Sequence, residues 1–164
     1  MKESDRKKRN EDRLMELYPT FRARVRQVLG TLEASGIRPR IQDAWRSPED
    51  QEIAFRNGFS KLRFGFHNIT AEDGTKEALA VDILDDNAPL KPGRDYLLRL
   101  AAAAEEAGLV TGIRWGLPKR CAAAIDEATA THNWRARVKI GWDPTHVEPK
   151  GLSIAEARSG RRPD

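Results

Sequence analysis

The stretch "GWDPTHVEP", Gly141 to Pro149, sets Asp143 and His146 three residues apart inside a frame of Trp, Val and Pro. A polar pair among apolar and turn-forming neighbours either satisfies a fold or performs chemistry. Residues two apart on an extended strand share a face, so Glu148 lies beside His146 if this stretch is a strand. Asp143 reaches the same place if Pro144 turns the chain between them. A second run, "ALAVDIL" at 78 to 84, is continuously apolar except for Asp82 and reads as a buried strand. An ionised carboxylate there is costly unless a charge, a metal or several hydrogen bonds compensate it. The competing reading places Asp82 at a strand-ending turn, since Asp85, Asp86 and Asn87 follow.

Helical patterns surround these two segments. Leu14, Leu17, Phe21, Val25, Val28, Leu29 and Leu32 recur at spacings of three and four, which predicts an amphipathic helix from Leu14 to about Ala34, kinked or restarted at Pro19 and stopped by Gly36. "IRPRIQDAW" reads as a short strand interrupted by Pro39. In "SPEDQ", Ser47 suits the N-cap, Pro48 the first helical position and Asp50 the capping-box position. An Ala-rich helix is expected over 94 to 107, ending at Gly108. "LVTGIRWG" reads as strand and loop, "PKRCAAAIDEATA" as a helix, "RVKIGW" as a strand feeding the opening motif, and "SIAEARSG" as a short helix capped by Ser153. The fold class is α+β, a small and mostly antiparallel sheet packed against helices. Residues 1 to 12 read as a flexible charged arm, and 13 to 164 as a single domain.

With 39% hydrophobic and 33% charged residues, the 164-residue chain has the composition of a folded domain with a polar surface. No apolar run approaches the ~20 residues that span a bilayer, and the opening "MKESDRKKRNEDR" has no apolar core of a secretion signal. Synthesis and initial residence in a cytoplasm are expected. Cys121 is the sole cysteine and sits in an Ala-rich helical stretch, so it suits a small core position, and any metal must use His and carboxylates. A formal charge of +4 favours a polyanionic partner. Nucleic acid, anionic wall polymers and membrane surfaces would all serve. Acidic residues interleave the N-terminal basic run, which makes it a poor phosphate stripe, and neither a nucleic-acid nor a membrane partner is expected.

Only His67, His132 and His146 can supply imidazole chemistry. As a lone histidine in "RFGFHN", His67 has the ordinary reading of a loop residue bonded to backbone. Two His and one Asp are nevertheless a familiar zinc set that leaves a fourth position for water. A further carboxylate nearby then serves as general base. No H-E-x-x-H helix, G-x-S-x-G elbow or G-x-x-x-x-G-K loop offers another chemistry. Arg46 immediately precedes a helix start and can grip a carboxylate there, or simply form a surface salt bridge.

Together these residues resemble the zinc peptidases of the D-Ala-D-Ala carboxypeptidase and VanY type, which include phage L-alanyl-D-glutamate endolysins and the VanX dipeptidases. The family shows an Arg-Ser-x-x-x-Gln stretch, a Ser-x-His-x-x-Gly-x-Ala-x-Asp motif and a Trp-x-x-x-His-x-Glu ending with an acidic residue before the His. Here they read Arg46-Ser47-Pro48-Glu49-Asp50-Gln51, then His67 with Ala80-Val81-Asp82, then Trp142-Asp143-Pro144-Thr145-His146-Val147-Glu148. The resemblance spans roughly residues 36 to 155. It implies the Hedgehog/DD-peptidase fold, zinc held by His67, Asp82 and His146, and Asp143 as general base. Arg46 would bind a substrate carboxylate or polarise the scissile carbonyl, with Gln51 in support and Trp142 and Glu148 as wall residues or supports of the ligands. In two places the chain departs from the pattern. Gly65 stands where the family has Ser, and fourteen residues, "NITAEDGTKEALAV", separate His67 from Asp82 where the family has a shorter connection. The extra length reads as an inserted loop with Asp73-Gly74 at its tip.

The expected function is zinc-dependent hydrolysis of peptidoglycan stem peptides by a monomer, as an L-Ala-D-Glu endopeptidase of the endolysin kind or a D,D-carboxypeptidase. The wall would be reached through a holin. The rival is a non-catalytic wall- or peptide-binding module on the same scaffold, against which the retention of Asp143 counts.

Overall fold

The computed structural model describes residues 1–164. Six α-helices surround a four-stranded antiparallel sheet. The strands are β1 (Pro39–Asp43), β2 (Val81–Asp85), β3 (Leu109–Gly112) and β4 (Asp143–Pro149), in the spatial order β1-β2-β4-β3. The helices are α1 (Glu3–Leu14), α2 (Pro19–Ala34), α3 (Pro48–Arg56), α4 (Arg94–Glu106), α5 (Lys119–Ala130) and α6 (Ile154–Arg158).

Alternation along the strands divides the sheet into two faces. Ile41, Val81, Ile83, Leu109 and Val147 are buried with Phe21, Val25, Val28, Leu98 and Leu100 of α2 and α4. Asp82, Leu84, His146, Glu148 and Val110 line a cleft on the opposite face. Asp82 is thus the second residue of β2 rather than the end of a strand, and its face is polar while its neighbours' face is core.

Local signals place several helix ends. The Ser47 hydroxyl accepts the Asp50 amide at 3.1 Å, and Ser153 caps α6 in the same way from Glu156 at 3.1 Å. Pro19 begins α2 outright, because a proline at the first helical position forfeits no internal hydrogen bond. Of the kink or restart expected at Pro19, the restart is what forms, and Leu14 ends α1 rather than opening α2. "RVKIGW" forms no strand: Gly141 and Trp142 donate to the carbonyls of Ile113 and Trp115 at 2.6 and 3.2 Å, against the turn that follows β3.

The N-terminal segment departs most from expectation. In place of a flexible charged arm over residues 1 to 12, α1 lies along β1, the edge of the sheet. Asn10 accepts the Ile41 amide at 2.8 Å and donates to the Pro39 carbonyl at 2.9 Å. Arg9 donates to the Ile41 and Gln42 carbonyls at 2.9 and 2.8 Å. Arg6 is buried between Glu3, Glu33 and the Pro39 carbonyl. An unpaired strand edge needs cover, and these side chains supply it. Charge composition pointed to solvent, but the charges have backbone and carboxylate partners.

Two outcomes follow from that edge. Asn10→Ala leaves the buried Ile41 amide without its acceptor, so stability in urea unfolding should fall by about 2 kcal/mol; a loss under 0.5 kcal/mol would mean the edge is held without it. The hydrogen bond from Arg6 lowers the Glu3 pKa from 4.5 to about 2 against an opposing burial effect, with Arg38 lowering it further. A carboxylate depressed on folding contributes stability above its unfolded pKa and loses it as pH falls through the folded value. The Glu3→Gln protein should therefore show a shallower loss of stability between pH 4.5 and about 2, and an unchanged acid limb would refute this ion pair's contribution.

Candidate metal centre

His67, Asp82 and His146 come from three separate elements, and their ligand atoms all lie within 4.8 Å of one another. Asp82 and His146 are direct partners across the antiparallel β2–β4 pair, the two central strands of the sheet. Paired residues project to the same face, so the register itself places them together. His146 Nδ1 is 3.8 Å from Asp82 Oδ1, and His67 Nε2 is 3.4 Å from Asp82 Oδ2.

His67 sits in a single 3-10 turn, Phe66–Asn68, tied to Arg46 just ahead of α3. Its ring is locked from behind. The Ala44 carbonyl, which can only accept, is 2.5 Å from Nδ1, so Nδ1 carries the proton and the Nε2 lone pair faces Asp82. The turn is pinned as well: the Arg46 amide donates to the His67 carbonyl at 2.9 Å, and Asn68 donates to the Arg46 carbonyl at 2.8 Å and accepts the Gly65 amide at 2.8 Å. Nothing in the sequence singled out Asn68 or the Ala44 carbonyl.

The inserted stretch closes on itself. Ala71 donates to Thr75 at 2.9 Å and Glu77 to Ile69 at 3.1 Å, with Asp73 Oδ1 taking the Thr75 amide at 2.9 Å and Gly74 at φ +89° in the bend. Leu79 then donates to the Phe66 carbonyl at 2.9 Å, so the chain re-enters beside His67 before β2 begins. Ile69, Ala78, Leu79 and Ala80 are buried, which fixes the loop's base on the core.

Asp143 reaches the site through a bulge. On a regular strand it would face away from His146, three residues on. Against β3, however, Thr111 pairs with Val147 and Gly112 with Asp143, so Pro144, Thr145 and His146 bow out. Gly112 makes the close approach possible, because a Cβ there would overlap the Asp143 carbonyl group and come within 2.9 Å of Trp115. Asp143 Oδ2 ends 3.9 Å from His146 Nδ1. On the other side of the ring, Glu148 lies 3.9 Å from Nε2.

The electrostatics separate the titrating groups. Burial drives the His67 pKa below its ordinary value, outweighing the Asp82 carboxylate. Burial opposes protonation of His146 too, but Glu148, Asp82 and Asp143 prevail and push it upward. Asp143 is raised by burial, with Asp82 and Glu148 adding to it against His146. A carboxyl group raised in this way is suited to accept and release a proton.

Arg46 lines the same cleft and is held by Asp43 and by Gln51 Oε1 at 3.1 Å. Gln51 is buried, and its amide nitrogen also donates to Ser60 at 2.8 Å and the Leu62 carbonyl at 2.6 Å. Its polar atoms are thus committed to holding Arg46 and the 58 to 62 loop rather than directed at a ligand. Trp142 is 51% exposed and packs at a tilt on Trp115, 5.1 Å between rings, with Lys61 above it. Trp115 is the tryptophan that contacts His146, at 5.3 Å between rings. Sequence reading missed Trp115, although its place in "TGIRWG" after β3 was visible. His132 lies elsewhere, exposed and stacked on Trp134.

The donor set fits a zinc ion. A tetrahedral set holds its ligand atoms roughly 3.3 Å apart, so a small contraction of the observed cluster suffices. Each imidazole also has an acceptor behind it, the Ala44 carbonyl 2.5 Å from His67 and the Glu148 carboxylate 3.9 Å from His146, where metal-bound histidines usually have one.

No family model and no curated protein matches the sequence. Among solved structures, the crystal structure of Serratia marcescens L-Ala D-Glu endopeptidase ChiX matches with a TM-score of 0.52 and 20% sequence identity, over 92% of this chain and 90% of that one. At this identity the likeness is one of fold, an α+β arrangement shared over nearly the whole of both chains.

Glu148→Gln removes the carboxylate behind His146 while preserving shape. Zinc affinity, measured by competition with a chelator, should weaken about 10- to 100-fold; an unchanged affinity would show that Glu148 does not orient the ring.

Proposed function

We propose that the protein is a zinc-dependent peptidase that hydrolyses peptidoglycan stem peptides, acting as an L-Ala-D-Glu endopeptidase. The observation that carries this reading is the convergence of His67, Asp82 and His146 with Asp143 on the floor of one cleft. A fold shared with an L-Ala D-Glu endopeptidase adds support. His67, Asp82 and His146 would hold the metal. Zinc, when bound, supplies Lewis-acid polarisation of a carbonyl and a lowered pKa for a water.

The remaining work falls to side chains. Asp143 takes a proton from the attacking water and delivers it to the leaving amine, and its upward-shifted pKa suits both transfers. Arg46, braced by Asp43 and Gln51, presents a fixed guanidinium to a substrate carboxylate or to the scissile carbonyl. Trp115 and Trp142 form one wall beside His146.

The cleft's extent favours cleavage within a chain over removal of a terminal residue. Asp82 and His146 stand on the two central strands, and the cleft, about 1280 Å³, also takes in Arg13 of α1 and Ile154 of α6. A cleft of that size has room for several substrate residues beside the metal group. A charge of +4 draws the protein to an anionic wall, and no helix is long and apolar enough to cross a membrane.

Asp143→Asn should bind zinc at the wild-type stoichiometry by elemental analysis while losing at least ~100-fold in turnover of an L-Ala-D-Glu peptide. His146→Ala should lose both. Normal hydrolysis by Asp143→Asn would remove the general-base assignment, and cleavage confined to a terminal D-Ala would replace the endopeptidase with the carboxypeptidase.

A further inference from the structure

The side of the cleft formed by α1 and β1 is rich in arginine. Arg9 and Arg13 of α1 line it together with Gln42 and Asp43 of β1, on the same continuous surface as the metal group. Most arginines nearby are neutralised. Arg13 pairs with Glu16 at 3.0 Å, Arg40 with Asp86 at 3.0 Å and Arg46 with Asp43. Arg9 has no carboxylate partner. Its Nε and one terminal nitrogen are bound to the Ile41 and Gln42 carbonyls, which leaves the other terminal nitrogen for the cleft. Burial, then Arg13 and Arg40, push its pKa below the ordinary guanidinium value despite Asp43 and Glu16. The site therefore holds a half-buried cation, fixed in place, whose surroundings favour an anion.

We infer that Arg9, with Arg13 beside it, forms a carboxylate-binding subsite that selects stem peptides carrying a free carboxylate on one side of the scissile bond. The inference rests on the peptidase reading for the identity of its ligand. β1 lies one strand from Asp82, α1 lies beyond that edge, and strands are spaced about 4.8 Å apart. An extended peptide advances about 3.4 Å per residue, so the carboxylate recognised belongs to a residue roughly two or three positions from the bond. Fixing Arg9 on backbone carbonyls means little side-chain freedom is lost when the anion docks. Arg46 acts close to the metal group and Arg9 at the cleft's end, so the two read different parts of the substrate.

The test uses the zinc-loaded full chain and synthetic stem peptides in which each carboxylate in turn is free or converted to its carboxamide. Wild-type protein should lose about tenfold in kcat/KM for amidation at one position, mainly through KM. Arg9→Gln and Arg13→Gln should shrink that difference, Arg9→Lys should restore much of it, and added salt should reduce it. Because Arg9 also covers β1, thermal melting accompanies each variant. Should Arg9→Gln fail to fold, Arg13→Gln, whose ion pair is with Glu16 alone, decides the matter. Cleavage of all peptides at equal kcat/KM would overturn the subsite and leave the peptidase standing. No cleavage, but tighter calorimetric binding of the carboxylate form that Arg9→Gln abolishes, would overturn the peptidase and keep the subsite. Neither cleavage nor discrimination would overturn both.

Discussion

The pairing of Asp82 with His146 across β2 and β4 is the constraint on which the site depends. Side chains alternate, so the register that puts these two on the cleft face also puts Val81, Ile83 and Val147 into the core. A slip of one residue would bury the carboxylate and imidazole and expose the valines and isoleucine. Hydrophobic burial on one side of the sheet therefore positions the polar groups on the other. The core supplies the force that holds a costly cluster of like and unlike charges together, and the cluster need not stabilise the fold itself.

Everything else at the centre is arranged around that pair by local devices. A one-turn helix delivers His67, with its ring fixed by the Ala44 carbonyl and its backbone pinned by Arg46 and Asn68. Asp143 arrives because β4 bows out between Asp143 and Val147, and Gly112 permits the approach. Bulges of this kind re-aim a side chain without disturbing the strand beyond them. The long connection from His67 to β2 is spliced so that its ends meet, Leu79 bonding to Phe66, which leaves the relation of His67 to Asp82 independent of the loop's length.

The edge of the sheet links stability to the cleft. β1 would present open carbonyls and amides to solvent, and α1 covers them with Arg6, Arg9 and Asn10. The same helix carries Arg9 and Arg13 to the cleft, so a segment that completes the sheet also shapes its electrostatics. The likeness to an endopeptidase is one of scaffold, whereas chemistry resides in the side chains at the site.

By itself the sequence determined the elements whose causes are local. Ser47 with Pro48 and Ser153 marked helix starts, the three- and four-residue spacing marked α2, and "ALAVDIL" marked β2, whereas the strand expected at "RVKIGW" forms one step later as β4. His67, Asp82 and His146 stood out because so few histidines are present and because a carboxylate inside an apolar run demands compensation. Tertiary structure alone decided the rest. That the charged N-terminus is a docked helix follows from the unpaired edge of β1, a partner 29 to 33 residues away that local composition cannot reveal. That "RVKIGW" is not a strand follows from the turn it packs against. Trp115, Asn68 and the Ala44 carbonyl act through contacts across the chain, and Asp143 joins His146 only through a bulge opposite Gly112. Local propensity and pattern read interactions between near neighbours, whereas register, bulges and edge cover are set by which distant backbone groups remain to be satisfied once the sheet has formed.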